Sequence, residues 1–380
     1  MGIQLFVPTF HVEECLNEIK ECLEIGWPGM GYKTNRFEDA WKQYTGFENA
    51  HFLNSATAGL YLAFDILKEK YNWSDGDEVI TTGLTFVSTN HAILLSNLKP
   101  VFADVDDTLC LNPIDVKSKI TSRTRAVLYV GLGGNTGELE KIILLCKENN
   151  LKLVLDAAHM AGTKLDNKTP GTEADVVVYS FQAVKNLPTA DSGMICFREE
   201  ELDKIARKKS WLGINKDTFS RTSKDGNYKW MYDVEYVGQK YHGNSIMAAI
   251  GLVQLKYLDE DNQRRRYLSN IYDTIFENHN NIIKRVRFLD NCQPSRHLYQ
   301  IIVKNRDQLL SFLNENDIYP GVHYRDNTQY RMYKQDNNTC KNTYFYSNHL
   351  VSLPLHLRLT DQDIAHIANL VVDFCKNHEL

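Results

Sequence analysis

Several features that would set a chain apart from ordinary soluble globular proteins are missing from these 380 residues. No stretch of about 18 consecutive apolar residues occurs, and the start, MGIQLFVPTFHVEEC, lacks a basic segment followed by an apolar run. Neither a membrane span nor a secretory leader is therefore expected. Strong charge of one sign is also missing: a net charge of −5 gives no electrostatic reason for a nucleic acid partner. The eight cysteines are scattered without a CxxC pair, so a metal site or redox dithiol is not expected, and a reducing, cytoplasmic setting fits. A GxGxxG turn after an early strand is absent too. The segment VGLGGNTG (130–137) is only a partial echo and reads more simply as a turn at a strand end, which weighs against a nicotinamide dehydrogenase.

What is present is enough chain for about two lobes. Between about residues 50 and 200, short runs rich in Val, Ile and Leu alternate with segments of helical spacing, the pattern of parallel strands joined by crossover helices. Strands are expected near 78–83, 99–105, 125–131, 152–157, 175–181 and 192–197, with helices at TAGLYLAFDILKEKY, STNHAILLSN and ELEKIILLCKENN. Such a sheet is covered on both faces, and its chemistry gathers at the carboxyl ends of its strands. A polar segment at about 214–229 reads as an exposed loop or lid. SIMAAIGLVQLKYLDEDNQRRRYLSNIYDTIF reads as one long helix or two in series, and HLYQIIVK and DQDIAHIANLVVDFCKNH as a strand and a helix of a smaller lobe.

Four local features can carry chemistry. Asp156 ends the strand KLVLDA, where a carboxylate is costly unless partnered. It either caps or pairs locally, or it accepts a hydrogen bond from the protonated ring nitrogen of pyridoxal 5′-phosphate (PLP). Lys185 comes after the next strand, in SFQAVKNLPTADSGM. Alone it is as easily a solvated loop lysine, but desolvation there would supply the free amine that a Schiff base needs. In LNSATAGL, residues 55–58 open a helix whose free amides favour an anion such as phosphate, or simply form a Ser/Thr cap. Phe86 stacks on an aromatic ring or belongs to the core.

The order of these features, with NSATAGL, LTFVSTNHAIL, PVFADVD, DAAHMAG, YSFQAVKNLPTADSGM, AAIGLVQL, VHY and VSLPLHLRLT, resembles the DegT/DnrJ/EryC1/StrS sugar aminotransferases, within the fold-type I PLP enzymes. The resemblance implies an α/β fold: a three-layer α/β/α large PLP-binding domain with a mostly parallel sheet (1–245) and a smaller α+β C-terminal domain (246–380), as in aspartate aminotransferase. It implies Lys185 as the Schiff-base lysine and Asp156 as the ring-nitrogen partner. His159 falls beside the cofactor's 3′-oxygen, Ser180 with Thr57 and Ala58 in the phosphate cup, and Phe86 on the ring face. A homodimer with active sites at its interface is also implied. Many relatives carry an Asn that reaches across to the partner's phosphate; here the register falls on His242, with Asn244 two residues later. The segment after Lys185, NLPTADSGM, departs from the more usual run with Glu and a second Gly. A branch with His in place of the lysine performs dehydration, so Lys185 points to amino transfer.

The expected reaction moves an amino group from glutamate, through pyridoxamine phosphate, to a keto substrate. By resemblance that substrate is a nucleotide-linked 4-keto or 3-keto 6-deoxy sugar for a surface polysaccharide. Candidate walls for it are Trp27, Tyr32, the 214–230 loop, His323 and Tyr324. Two alternatives stand beside this reading: a small phosphorylated ketone such as dihydroxyacetone phosphate as acceptor, and a PLP-binding regulatory protein without turnover.

Overall fold

The computed structural model describes residues 2–215, 232–333 and 340–378. Seven strands form the central sheet: β1 (Asn49–Leu53), β2 (Glu78–Thr82), β3 (Lys99–Ala103), β4 (Thr124–Val130), β5 (Lys152–Asp156), β6 (Val176–Ser180) and β7 (Gly193–Phe197). Their order across the sheet is β1-β7-β6-β5-β4-β2-β3. Only β7 runs against the others, pairing antiparallel with both β6 and β1. The reason is the connection: residues 181–192 join β6 to β7 without a crossover helix, and a short link can only return the chain antiparallel. Thus 192–197 is a strand as its apolar run indicates, but not a parallel one. Strand β1 has no counterpart among the strands expected from the sequence.

Alternation along the strands sorts side chains to two faces. Val127, Tyr129, Leu153, Leu155, Val177 and Tyr179 enter one core, while Ala126, Leu128, Val154, Val176 and Val178 enter another. The first is closed by α2 (Tyr32–Thr45), through Phe37 and Trp41, and by α6 (Leu139–Glu148). The second is closed by α3 (Ala56–Lys70), α4 (Val87–Leu95) and α7 (Glu200–Lys209). The helices α1 (Val12–Glu24) and α5 (Pro113–Lys119) complete the outer layers. This is the three-layer α/β/α arrangement.

One continuous helix, α8 (Ser245–Phe276), comes next. Asn244 caps it, its side-chain oxygen accepting the Met247 N–H at 3.0 Å. Ala248 and Leu258 belong to the first core, whereas Leu268, Tyr272 and Phe276 belong to a third. That third core also takes in β9 (Tyr299–Ile302) and β10 (Leu350–Leu353), which form a small antiparallel sheet with β8 (Lys284–Arg285). The helices α9 (Arg306–Glu315) and α11 (Asp361–Asn377) cover it, and α10 (Lys341–His349) leads into β10. Residues Ile3–Gln4 pair with Ile318–Tyr319, fastening the start of the chain to this smaller unit. No helix among the described residues is long and apolar enough to cross a membrane.

Gly193, at the start of β7, lies against the first turn of α3. A Cβ there would come within 2.6 Å of Ala56 N, 2.8 Å of Ser55 C and 2.8 Å of Tyr179 O, all backbone atoms. Gly193→Ala should therefore cost about 1–3 kcal/mol as overpacking. A thermal melt of the variant is expected to show a clearly lowered Tm; an unchanged Tm would mean that the two backbones part freely.

Candidate active site

Strands β1, β2, β4, β5 and β6 point their carboxyl ends at one edge of the sheet, and a cavity of about 400 Å³ opens there. Each strand lines it with its last residue or with the loop beyond. Ser55 and Thr57 come after β1, Thr85 and Phe86 after β2, and Gly131 after β4. Asp156 ends β5 and Ser180 ends β6, with Lys185 in the loop beyond. From the smaller unit come His297, His323 and Tyr324, and from the N-terminal segment Phe6.

The loop bearing Lys185 is held firmly. Ala183 N–H donates to Ala190 O and Thr189 N–H to Phe181 O, each at 2.8 Å, closing it on itself. Asn186 then fixes the residue beside the lysine: its amide donates to Asn262 of α8 at 2.6 Å and to the Ser295 carbonyl at 2.8 Å. Among the described residues the Lys185 ammonium makes no hydrogen bond or ion pair. Burial pulls its pKa down to about 8, opposed by the charge of Asp156.

Asp156 is 4% exposed. Its oxygens accept hydrogen bonds from Thr89 Oγ1 at 2.8 Å and from Ala158 N–H at 3.1 Å, both neutral donors. Burial pushes the carboxyl above its usual range, against those hydrogen bonds and the Lys185 charge. No cation lies within ion-pair distance of it among the described residues, and a buried carboxylate without one is an expensive arrangement.

Three histidines face the same space, and burial drives all three toward the neutral form. For His159 and His297 the pKa falls well below the usual value, and for His323 it falls to about 4; neighbouring Lys185 contributes to each. The His159 tautomer is set by its partners. Gly133 N–H donates to Nδ1 at 3.2 Å, so the neutral ring carries its proton on Nε2, which meets the Tyr324 hydroxyl at 3.3 Å. Gly133 sits at φ +66°, a left-handed conformation suited to glycine. The Gly-rich segment 130–137 is therefore a strand-end turn, and it aims an amide at His159. Burial, helped by Asp156, raises the pKa of Tyr324 and keeps the phenol protonated.

At the start of α3, Ser55 Oγ accepts the Ala58 N–H at 3.1 Å, leaving the amides of Ala56 and Thr57 outside the helix ladder. Ala58 is buried, does not line the cavity, and has its N–H engaged in the cap. Phe86 is 55% exposed, with its ring 5.9 Å from that of Tyr324.

Of the sequence candidates, Lys185, Asp156, Thr57, Phe86, His159, Ser180, His323 and Tyr324 converge on this cavity. Trp27, Tyr32, His242 and Asn244 do not line it. Trp27 donates to Met30 O, Tyr32 reaches Cys22 Sγ, and Asn244 is the cap of α8. His242 Nδ1 bonds Gly243 O at 2.8 Å, and its ring meets Trp211 edge-on at 4.5 Å. Of the loop expected at 214–229, residues 216–229 lie outside the described residues. Sequence reasoning missed Thr89, His297, Phe6 and Gln182. Thr89 lies one turn into α4, three residues after Phe86, and was the one with a signal: a hydroxyl at a helix start beside a strand end. The lowered Lys185 pKa is open to measurement. In the cofactor-free protein, acylation of Lys185 monitored by peptide mass analysis should rise through a midpoint near pH 8 and outpace that of the exposed lysines. Labelling of Lys185 in step with the surface lysines would contradict its desolvation.

Residues 10–372 match the DegT/DnrJ/EryC1/StrS aminotransferase family. Spore coat polysaccharide biosynthesis protein SpsC of Bacillus subtilis is 32% identical, covering 97% of this chain and 96% of its own. The dTDP-4-dehydro-2,3,6-trideoxy-D-glucose 4-aminotransferase of Saccharopolyspora spinosa is also 32% identical, over 97% and 95%. A solved structure, the putative sugar aminotransferase Spr1654 of Streptococcus pneumoniae in its PLP form, superposes with a TM-score of 0.90 at 25% identity, covering 99% of both chains. With the family spanning nearly its whole length, and with an amine, a carboxylate and a helix start gathered at one sheet edge, this chain belongs to the DegT/DnrJ/EryC1/StrS aminotransferase family.

Proposed function

We propose that this aminotransferase moves the amino group of glutamate to the ketone of a nucleotide-linked 4-keto or 3-keto 6-deoxy sugar, making an amino sugar for a surface polysaccharide. The observation that carries the catalytic part is the ranking of bases in the cavity. Three histidines are held neutral with depressed pKa values and Tyr324 is held protonated, so Lys185, at about 8, is the strongest base facing the substrate. The acceptor rests on the relatives' names, one a dTDP-sugar 4-aminotransferase and one a polysaccharide biosynthesis protein.

The residues present fit PLP. Asp156, a buried carboxylate with only neutral partners, suits a protonated ring nitrogen. The free amides of Ala56 and Thr57, with Thr57 and Ser180 hydroxyls, suit a phosphate at a helix start. Phe86 would cover a ring face, and His159 with Tyr324 would line the side of the 3′-oxygen. When bound, PLP supplies an electron sink for the carbon that loses its proton. Lys185 would hold the cofactor until the donor's amine displaces it; its freed Nζ would then take the proton from the donor's Cα as an ammonium and give it up to the cofactor carbon bearing the amino nitrogen, the low-polarity surroundings favouring the uncharged amine. The tight loop held by Asn186 limits how far that amine can stray.

A homodimer belongs to the same proposal. Buried His242 Nε2 has no partner among the described residues, whereas Asn244 is occupied at the cap of α8. His242 is the better placed of the two, but its Nδ1 proton is given to Gly243 O, so Nε2 would donate to the partner's phosphate only as the imidazolium, the phosphate charge offsetting the burial that lowers the ring's pKa.

Three experiments test this reading. With the PLP form, glutamate should convert the absorbance of the bound cofactor to that of pyridoxamine phosphate, and a keto nucleotide sugar should restore it; restoration by triose phosphates alone would replace the acceptor. Lys185→Ala and Asp156→Asn should each slow the glutamate half-reaction by roughly 10²–10⁴-fold in single-turnover kinetics, with far-UV circular dichroism unchanged. Mixed dimers of Lys185→Ala with His242→Ala should recover activity, since one site then holds both residues; no recovery would remove His242 from the partner's site.

A further inference from the structure

A second, much smaller cavity of about 10 Å³ lies behind the Lys185 loop, bounded by residues 6–9 of the N-terminal segment, the loop itself, α8 and the turn after β10. Phe6, Val184 and Lys185 line both cavities, so these residues form the partition between them. Three of the lining side chains carry a buried polar atom with no hydrogen-bond partner among the described residues: Thr9 Oγ1, Arg265 Nε and His356 Nδ1. Arg265 is 6% exposed and His356 is 5% exposed. Three of the nine such atoms among the described residues thus belong to residues around one small space, and each would cost about 1–3 kcal/mol if left unpaired.

We propose that this cavity is a binding site for a single water molecule, held by Arg265, His356 and Thr9. Size agrees: the space is about that of one water. Hydrogen-bond parity identifies the occupant more closely. His356 Nε2 faces the Gln4 carbonyl at 3.2 Å, and a carbonyl only accepts, so Nε2 carries the ring proton. Burial brings the His356 pKa down to about 4, leaving the ring neutral and Nδ1 an acceptor. Arg265 Nε–H, by contrast, only donates; its Nη1 is already given to Leu355 O at 3.0 Å. The occupant must accept from Arg265 and donate to His356, while the Thr9 hydroxyl does either. Water does both. Asp261 also lines the cavity and offsets the Arg265 charge, so parity decides: a halide would face the His356 lone pair with no proton to offer, and an ammonium ion could accept nothing from Arg265 Nε–H. The water ties the N-terminal segment and the turn after β10 to α8, directly behind the loop that presents Lys185.

The test is crystallographic and needs no variant. Crystals of the full chain in its PLP form, grown near neutral pH and soaked in bromide, are measured at the bromine edge. The proposal expects one peak within hydrogen-bond distance of Arg265 Nε, His356 Nδ1 and Thr9 Oγ1, with no anomalous signal. An anomalous peak would make the site a halide site, and featureless density would make it a dry void; either result overturns the proposal. Neither result bears on Lys185 as the catalytic base.

Discussion

Desolvation at the carboxyl edge of the sheet is the constraint on which the rest of the site depends. An amine and a carboxylate, Lys185 and Asp156, are buried around one cavity without forming a close ion pair. Had they closed on each other, the lysine would be held as an ammonium and the carboxylate would be spent. Held apart, the lysine has its pKa drawn down to about 8 by burial and the carboxylate stays available to a cationic ring. Sheet topology keeps them apart: Asp156 is fixed at the end of β5, and Lys185 is carried on a loop that β7 pulls back antiparallel.

The neighbouring groups reinforce that arrangement by staying uncharged. Gly133 fixes the His159 tautomer, Ser352 bonds His323 Nδ1 at 2.9 Å, and Asn186 bonds His297 Nδ1 at 3.0 Å. A cationic imidazole beside Lys185 would lower the lysine further and compete for the same proton. The same Asn186 anchors the Lys185 loop to α8 and the Ser295 carbonyl, and its Oδ1 accepts from His297 Nδ1, so one side chain serves both the position of the base and the tautomer of its neighbour.

Much of this was legible in the sequence because it rests on local rules. Buried strands show as apolar runs, and the residue that ends each run marks the chemical edge, which is how Asp156 and Ser180 stand out. Strand β1 hides because its His51 is polar; only the fold reveals that Glu38 and Ser210 satisfy both ring nitrogens. His297 and Phe6 hide for another reason, since they reach the cavity from segments distant along the chain and carry no local pattern. Trp27 and Tyr32 looked like substrate aromatics, yet within one chain they answer to Met30 and Cys22. The antiparallel turn of β7 was signalled by the missing crossover helix, a feature of spacing rather than composition.

Whether the Lys185 amine itself moves the donor's Cα proton is decided by chemical rescue. Glutamate is incubated in D₂O with the PLP form of Lys185→Ala, and Cα deuteration is monitored by proton NMR with and without added methylamine. With Lys185 as the base, the variant alone shows negligible exchange, and methylamine restores exchange in proportion to its free concentration. Exchange at the unsubstituted protein's rate without any amine, or no rescue by amine in a variant that still binds PLP, would assign the proton to another group.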